Sequence, residues 1–475
     1  MAIDTLYFAT YTQPMDKEIT IAAIATPPGV GGVGVIRLSG DRAREVLGKV
    51  WKSPHTIVDN FASHRLYLGN IVNFSTGEWI DKGLAVWMKA PHSYTGEDVV
   101  EIQGHGSPLL LEKILESCLN AGAKMAGPGE FTKRAYLNGK LDLAQAEAVA
   151  DMIHSSSESG LAQAKEHFSG KLSKKILEFQ SELVRLRAFV EASIDFPEED
   201  IELIQKEGIL SRLSPIQCAL ATLLATYAEG KLYRDGVKTV LIGRPNVGKS
   251  SLLNALVGNN RAIVHHNPGT TRDVIEEVCQ FGGYSFRLFD TAGLRNSPDE
   301  VEALGVARSE ALLQSADLIL WMLDASSVLE KEDIDFLSEL NLSKTLICVN
   351  KIDLGFAWDP KSFVLEKDKE KVLFLSVLEQ KGVDTLQKNM INWIKSRSGS
   401  ENYSLRITKL RHKESLERAL TELTQAATIL NQPKIGVELV AIHLKKAHEF
   451  LGQITGANVT EDLLDSIFSE FCIGK

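Results

Sequence analysis

Val237-Lys-Thr-Val-Leu-Ile-Gly-Arg-Pro-Asn-Val-Gly-Lys-Ser250 decides the fold. It opens with a β-branched, apolar run suited to a buried strand, and its middle is a loop bounded by Gly243 and Gly248. The apolar positions Leu252, Leu253, Leu256 and Val257 then step as a helix does. Strand, Gly-rich loop and helix in that order predict a phosphate-binding loop, because backbone N–H groups at a helix N-terminus meet phosphate oxygens. Lys249 is the candidate for the β- and γ-phosphates and the Ser250 hydroxyl for Mg²⁺. A chance glycine-rich turn would lack these flanks.

Downstream motifs fall in the order of a complete guanine-nucleotide site. Loop contacts are expected from Asn246, Val247, Gly248, Lys249, Ser250 and Ser251, followed by the pair Thr270–Thr271. Asp290-Thr-Ala-Gly293 ends the strand Phe286–Phe289, placing Asp290 near Mg²⁺ through a water and the Gly293 N–H near the γ-phosphate; Thr291 and Ala292 complete that contact. Asn350-Lys351-Ile-Asp353 follows the buried strand Thr345–Val349. The Asp353 carboxylate accepts from the guanine N1–H and N2–H₂ edge, and a base without those donors leaves it unpaired. Ser376-Val377-Leu378 follows a strand ending at Leu375 and stands where small GTPases carry Ser-Ala-Lys, with Val377 a departure.

Two gaps in the hydrolytic machinery are visible. Leu294 occupies the position where Ras-like GTPases carry a water-orienting Gln, so another group must take that role. Glu302, in the polar segment 295–302, is the candidate, against the bland reading of a solvated carboxylate. The second gap is a transition-state cation, which as an arginine finger gives roughly 10³–10⁵ in rate, or about 4–7 kcal/mol. The Asn246 side-chain carbonyl and backbone carbonyls of 263–271 could hold a monovalent cation instead. The adjacent His265 and His266, with no further ligand in reach, read as loop surface rather than a metal site.

A length of 475 residues leaves room for two to four domains. Net charge is −10, which argues against gripping nucleic acid over the whole surface; a local basic patch or a partner subunit must hold any RNA. The run Arg406-Ile-Thr-Lys-Leu-Arg-His-Lys413 is the densest basic candidate, against a solvated helix face. No run approaches the roughly 18 apolar residues of a membrane span. Residues 1–17 do not read as a signal peptide. The five cysteines are scattered without a C-x-x-C pair, which fits a reducing cytosol without zinc or disulfides.

The organisation expected is multidomain α/β. After an N-terminal extension (1–17), residues 18–138 form an α+β domain with strands at 21–24, 33–38, 83–88 and 99–103 and a helix near 109–118. Apolar seams then step by three and four along Leu172, Ile176, Phe179, Leu183, Leu186 and Val190, and again from Ile209 to Tyr227. They return at Leu416, Leu420, Leu423, Ala427 and Leu430 and from Val440 to Leu451. These helices suit a bundle split into 139–234 and 398–475, with a Ras-like P-loop GTPase domain (235–397) inserted between its halves.

Motifs at both ends carry a resemblance. Ala25-Thr-Pro-Pro-Gly29 with Gly31-Gly-Val-Gly34, Ser93-Tyr-Thr-Gly-Glu-Asp98, Gln103-Gly-His-Gly106, Pro128-Gly-Glu-Phe131, Lys140-Leu-Asp-Leu-Ala-Gln-Ala-Glu147, Gly269-Thr-Thr-Arg-Asp273 and the terminal Phe471-Cys-Ile-Gly-Lys475 are similar to those of the MnmE/TrmE family of tRNA-modifying GTPases. The resemblance covers Ile19 to Lys475. It implies an N-terminal domain that dimerises and binds 5-formyl- or 5,10-methylene-tetrahydrofolate, with Arg37, Glu101, Lys140 and Lys475 as contacts. It also implies a potassium site of Asn246 with the carbonyls of His265, Asn267 and Thr270, beside Gly269 and the Mg²⁺ ligand Thr271. Glu302 matches the family's water-orienting carboxylate. Val30 stands where the family often has Arg, and the family's potassium loop is here His-His-Asn-Pro.

Such proteins work in the cytoplasm with an FAD-containing partner, as a heterotetramer. They build an aminomethyl or carboxymethylaminomethyl group on C5 of the wobble uridine of tRNA, driven by GTP hydrolysis and closure of paired GTPase domains. Cys472 is either a nucleophile in that chemistry or a packed apolar residue ending the amphipathic segment Leu463, Leu464, Ile467 and Phe468. Two other classes compete. A ribosome-assembly GTPase would add a basic RNA-binding domain, and a membrane-transport GTPase would need spans.

Overall fold

The computed structural model describes residues 19–195, 202–258, 276–290, 311–360, 370–397, 405–432, 438–457 and 459–475. The extension 1–17, His265, Asn267, Gly269, Thr270, Thr271, Thr291, Ala292, Gly293 and Glu302 lie outside them. The chain divides into two compact units, Met1–Ala150 with Ser173–Gln180 and Leu451–Lys475, and Asp151–Leu172 with Ser181–Phe450.

The first unit is built on a seven-stranded sheet. Its strands are β1 (Ile21–Ile24), β2 (Gly31–Ser39), β3 (Trp51–Lys52), β4 (Leu66–Val72), β5 (Trp79–Met88), β6 (Val99–Gly106) and β7 (Lys124–Met125), in the order β3-β4-β5-β6-β2-β1-β7. Alternation along the strands sorts the faces. Ile36, Leu38, Val100, Ile102 and Ile71 point into a core closed by Val46, Leu47, Ile114 and Cys118 of helices Ala43–Val50 and Pro108–Asn120. Arg37, between Ile36 and Leu38, therefore faces the other way and pairs in register with Glu101 of β6. The chain's last residues belong here too. Helix Glu461–Ser469 buries Leu464 and Phe468 with Phe471, Leu143 and Ala146, and Ile473 bridges to Pro128.

The second unit holds a six-stranded sheet of β8 (Val237–Ile242), β9 (Glu276–Phe281), β10 (Tyr284–Asp290), β11 (Leu318–Asp324), β12 (Thr345–Asn350) and β13 (Val372–Phe374). Their order is β13-β12-β11-β8-β10-β9, parallel except for the β9–β10 hairpin. β11 and β12 are buried almost end to end, as strands covered on both faces must be. The order reverses at β8, so its C-terminal end lies at the switch point where open α/β sheets bind ligands.

The long helices Lys171–Asp195, Glu202–Ala225, Leu410–Leu430 and Glu438–Thr455 are those the seams predict. In the third, Ala419 and Ala426 are buried where Leu420 and Ala427 were expected to face inward. An apolar residue lies at both i+3 and i+4 along this stretch, so spacing alone leaves the face uncertain by one position. A second correction concerns length: Lys206–Asp235 is long and apolar enough, by length and composition, to cross a membrane. The proline-containing helix Glu202–Ala225 and its successor Tyr227–Asp235 join there, and Ile209, Leu213, Ile216, Leu220 and Leu223 of that run are buried in the protein.

Candidate functional site

The loop after β8 is shaped by residues at unusual backbone angles. Gly243 and Gly248 take φ of +142° and +100°, and the exposed Asn246 takes +64°, a left-handed conformation that asparagine tolerates. The next helix starts at Lys249, so the N–H groups of its first turn open onto the loop. Lys249 is only 6% exposed, and its ammonium donates to the carbonyls of Gly243 (2.8 Å) and Arg244 (2.7 Å). The Ser250 hydroxyl donates to Asp290 Oδ2 at 3.1 Å, because β10 runs parallel to β8 and ends level with it. Val247 is buried, whereas Ser251 is exposed on the helix.

Asn350 does more than its motif suggests. Its amide donates to the Val247 carbonyl at 2.9 Å and its Oδ1 accepts from the Val377 N–H at 3.1 Å, so one buried side chain staples the phosphate loop to the third base-site segment. A Cβ on Gly248 would overlap that amide. Lys351 sits at φ +63° and pairs with Asp324 at 2.6 Å. Burial opposes ionisation of Asp324, but the Lys351 ammonium and Ser326 hold its carboxyl below the usual range. Asp353 is exposed on the short turn Ile352–Leu354. Ser376 is fully buried and exchanges backbone hydrogen bonds with Lys381, Val377 is buried, and Leu378 is 88% exposed.

Sequence reasoning passed over Arg244. Its guanidinium is held by Glu330 (2.6 Å) and Asp333 (2.7 Å), acids of a helix N-terminal turn. The basic run 406–413 is corrected. Residues 405–409 lie in neither helix nor strand, Arg406 and Thr408 are buried, and the helix begins only at Leu410. Arg406 pairs with Glu229 (2.9 Å), Lys409 with Asp151 (3.3 Å) and Lys413 with Glu417 (3.3 Å). Arg406 and Lys409 are tethered inside, whereas Lys413 pairs along the exposed face of its own helix.

A second cluster forms around Arg37. Its Nε donates to Glu101 (3.0 Å) and an Nη to the Gly474 carbonyl (3.3 Å), with the rings of Tyr94 and Phe131 at 5.9 and 5.8 Å. The Phe131 N–H donates to the Lys475 carbonyl at 3.1 Å, seating the C-terminus against the same sheet face. Burial, then the Arg37 charge, lowers the Lys475 ammonium from its ordinary 10.5. Lys140 instead donates to the Pro91 carbonyl at 3.0 Å. Cys472 is exposed, which removes the reading of it as a packed apolar residue; Phe468 and Phe471 do that packing.

A strand delivering Lys249 and Ser250, a parallel neighbour delivering Asp290, and Asn350 joining phosphate loop to base-site loops define a P-loop GTPase. Comparison with known proteins is narrower. Residues 20–140 match the family profile described as GTP-binding protein TrmE N-terminus, and 143–472 match the MnmE helical domain. The tRNA modification GTPase MnmE of Alkaliphilus oremlandii is 42% identical over 457 residues, 96% of this chain and 99% of that one. Its namesake in Clostridioides difficile is 43% identical over the same shares. The solved G domain of the T. maritima FeoB iron transporter is 28% identical over 33% of this chain and 98% of its own, at a TM-score of 0.24, too low to bear on the fold. The chain belongs to the MnmE/TrmE family of tRNA modification GTPases. That removes the ribosome-assembly and membrane-transport alternatives.

Proposed function

We propose that the chain couples GTP hydrolysis to installing an aminomethyl or carboxymethylaminomethyl group at C5 of the wobble uridine of tRNA. The observation that carries the hydrolytic half is the Ser250 hydroxyl on Asp290 beside the buried Lys249. Hydroxyl and carboxylate are hard oxygen donors that fit Mg²⁺. Ser250 and Thr271 would hold the ion and Asp290 would orient a ligating water; when bound, Mg²⁺ neutralises phosphate charge. Lys249 waits on loop carbonyls and passes to the phosphates, while N–H groups of Gly248 to Ser251 cradle them.

The loop's own guanidinium, Arg244, is tied to two carboxylates, which supports a bound ion as the neutralising charge. Potassium would be held by Asn246 and the carbonyls of His265, Asn267 and Thr270, with Glu302 orienting the attacking water. At the other site, Arg37 and Lys475 suit the glutamate tail of 5-formyl- or 5,10-methylene-tetrahydrofolate, and Glu101 suits the pterin donors. The depressed Lys475 ammonium is a charge that an anionic ligand would relieve. Lys140 stands as a further contact, the folate supplies the one-carbon unit, and the exposed Cys472 is the candidate nucleophile.

Residues 18–138 would pair two copies and 235–397 would be the GTPase domain set into the helical halves 139–234 and 398–475. An FAD-containing subunit would complete a cytoplasmic heterotetramer. The test is GTP turnover in KCl against NaCl for wild type and Glu302→Ala. The expected result is activity that requires potassium and a loss of about 10²-fold or more in the variant, in the range of positioned acid–base groups. Equal rates in both salts would remove the ion, and an unaffected variant would remove Glu302.

A further inference from the structure

Strands β8 and β10 carry the phosphate site at their C-terminal ends, and both begin on one buried cluster. Helix Tyr227–Asp235 is separated from β8 only by Gly236, which turns at φ +77°. On that helix the Tyr233 hydroxyl donates to Glu229, one turn back. The other Glu229 oxygen takes the Arg406 guanidinium at 2.9 Å, and that guanidinium lies 5.0 Å from the Tyr233 ring centre. The Tyr284 ring, first residue of β10, lies 5.5 Å from Tyr233. Just before it, the Gly283 carbonyl accepts from both the N–H and the hydroxyl of Ser159 (3.1 and 2.9 Å), and Ser285 meets the Ser156 hydroxyl at 3.1 Å.

Helix Glu158–Phe168 closes the cluster from its own side. Gln163 accepts from the Arg406 N–H at 3.1 Å and His167 Nε2 meets the Arg406 carbonyl at 2.7 Å. Gly230 has no room for a Cβ beside the Ile407 carbonyl, nor Gly160 beside that of Tyr233, so backbone approaches backbone at two points. Side-chain exposure of Arg406 and Glu229 is 9% and 8%. An ion pair that deep is a poor stabiliser next to an apolar pair of equal volume, and fixing a geometry is the use it is suited to. Strands of this length place the cluster about 20 Å from the phosphate loop.

From this we infer that Glu229, Arg406 and Tyr233 are positioning residues that transmit the nucleotide state from β8 and β10 to helix Glu158–Phe168. The inference rests on the reading that hydrolysis drives modification. A shift of Ser250 and Asp290 on phosphate loss moves two parallel strands together, and the cluster gathers their other ends onto one helix. GTP chemistry itself does not touch these residues.

The test uses the full chain with the double substitution Glu229→Leu and Arg406→Met, which keeps the volume filled, and with Tyr233→Phe, which keeps the ring. Amide exchange is compared between GDP and GDP with aluminium fluoride in KCl. The wild type is expected to change exchange in 158–168 with nucleotide state. In the double variant that change is expected to fall at least about fivefold while nucleotide affinity and GTP turnover stay within about twofold, the scale of site-to-site coupling. Tyr233→Phe is expected to show a partial loss, which keeps the test open if the double variant does not fold. With the partner subunit and tRNA, modified uridine per GTP is expected to drop about tenfold or more.

An exchange response retained in the folded variants, or absent from the wild type, overturns the inference. The exchange arm needs neither tRNA nor partner. Wild-type modification that proceeds without GTP, alongside the expected exchange result, would sink the reading of hydrolysis as the drive and still support the coupling.

Discussion

Gly248 shows how much one backbone position can hold. Its φ of +100° is one that a side chain rarely adopts, and an added Cβ would strike the Asn350 amide that joins Val247 to Val377. Gly248→Ala is therefore expected to cost about 1–2 kcal/mol in backbone strain alone, and more where the staple is displaced. Differential scanning fluorimetry should show a lower Tm, and GTP-dependent stabilisation should shrink with it. Asp353 makes a different kind of prediction, because it is exposed on the short turn Ile352–Leu354. Asp353→Asn should leave Tm unchanged while GTP affinity falls by about 10²-fold or more, as two hydrogen bonds to a charged acceptor are lost. An amide also donates to a base carrying a carbonyl at C2, so xanthosine triphosphate should bind the variant better than GTP does. Isothermal titration with both nucleotides checks this, and unchanged selectivity would remove Asp353 from the base site.

At the scale of elements, strand β8, its loop and the helix from Lys249 were legible because local propensity and tertiary role agree there. Arg37 came from the resemblance alone and its facing away from Ile36 and Leu38 only from the sheet, whereas the helical seams were legible from their period. Helix rotation was not, because Leu420 and Ala419 offer near-equal choices and only packing picks one. Nor was the burial of Arg406: charge in sequence says nothing of Glu229, 177 positions away (406 − 229), waiting inside to pair with it. The Asn350 staple was hidden for a similar reason, since a base-site motif accounts for the residue without requiring contact to Val247. Rotation has a direct test in stability. Leu423 is fully buried and Leu420 only partly, so Leu423→Ala should cost about 2–5 kcal/mol and Leu420→Ala clearly less. Urea unfolding of the two variants measures it, and a cost at Leu420 equal to that at Leu423 would return Leu420 to the seam in which spacing alone put it.

Over the whole molecule, charge sets a condition on how RNA is held. The chain carries −10, and its densest basic run is paired with the chain's own acids, Arg406 on Glu229 and Lys409 on Asp151 inside and Lys413 on Glu417 at the surface. Each phosphate neutralised by a Lys or Arg steepens the salt dependence of binding by about 0.7–0.9 in the log–log slope. A chain of that net charge, whose densest basic run is committed to its own carboxylates, should therefore bind tRNA weakly by itself, with a slope magnitude below about 3. Adding the proposed FAD-containing subunit should, if it supplies the phosphate contacts, tighten binding by about tenfold or more and steepen the slope. Fluorescence anisotropy of labelled tRNA measures both quantities, with NaCl varied at fixed KCl so that the GTPase site is undisturbed. Should the lone chain bind as tightly and as steeply as the assembled enzyme, its own surface must supply the contacts. Charge-reversal at exposed lysines would then locate them, since each true contact removed lowers the slope by about one.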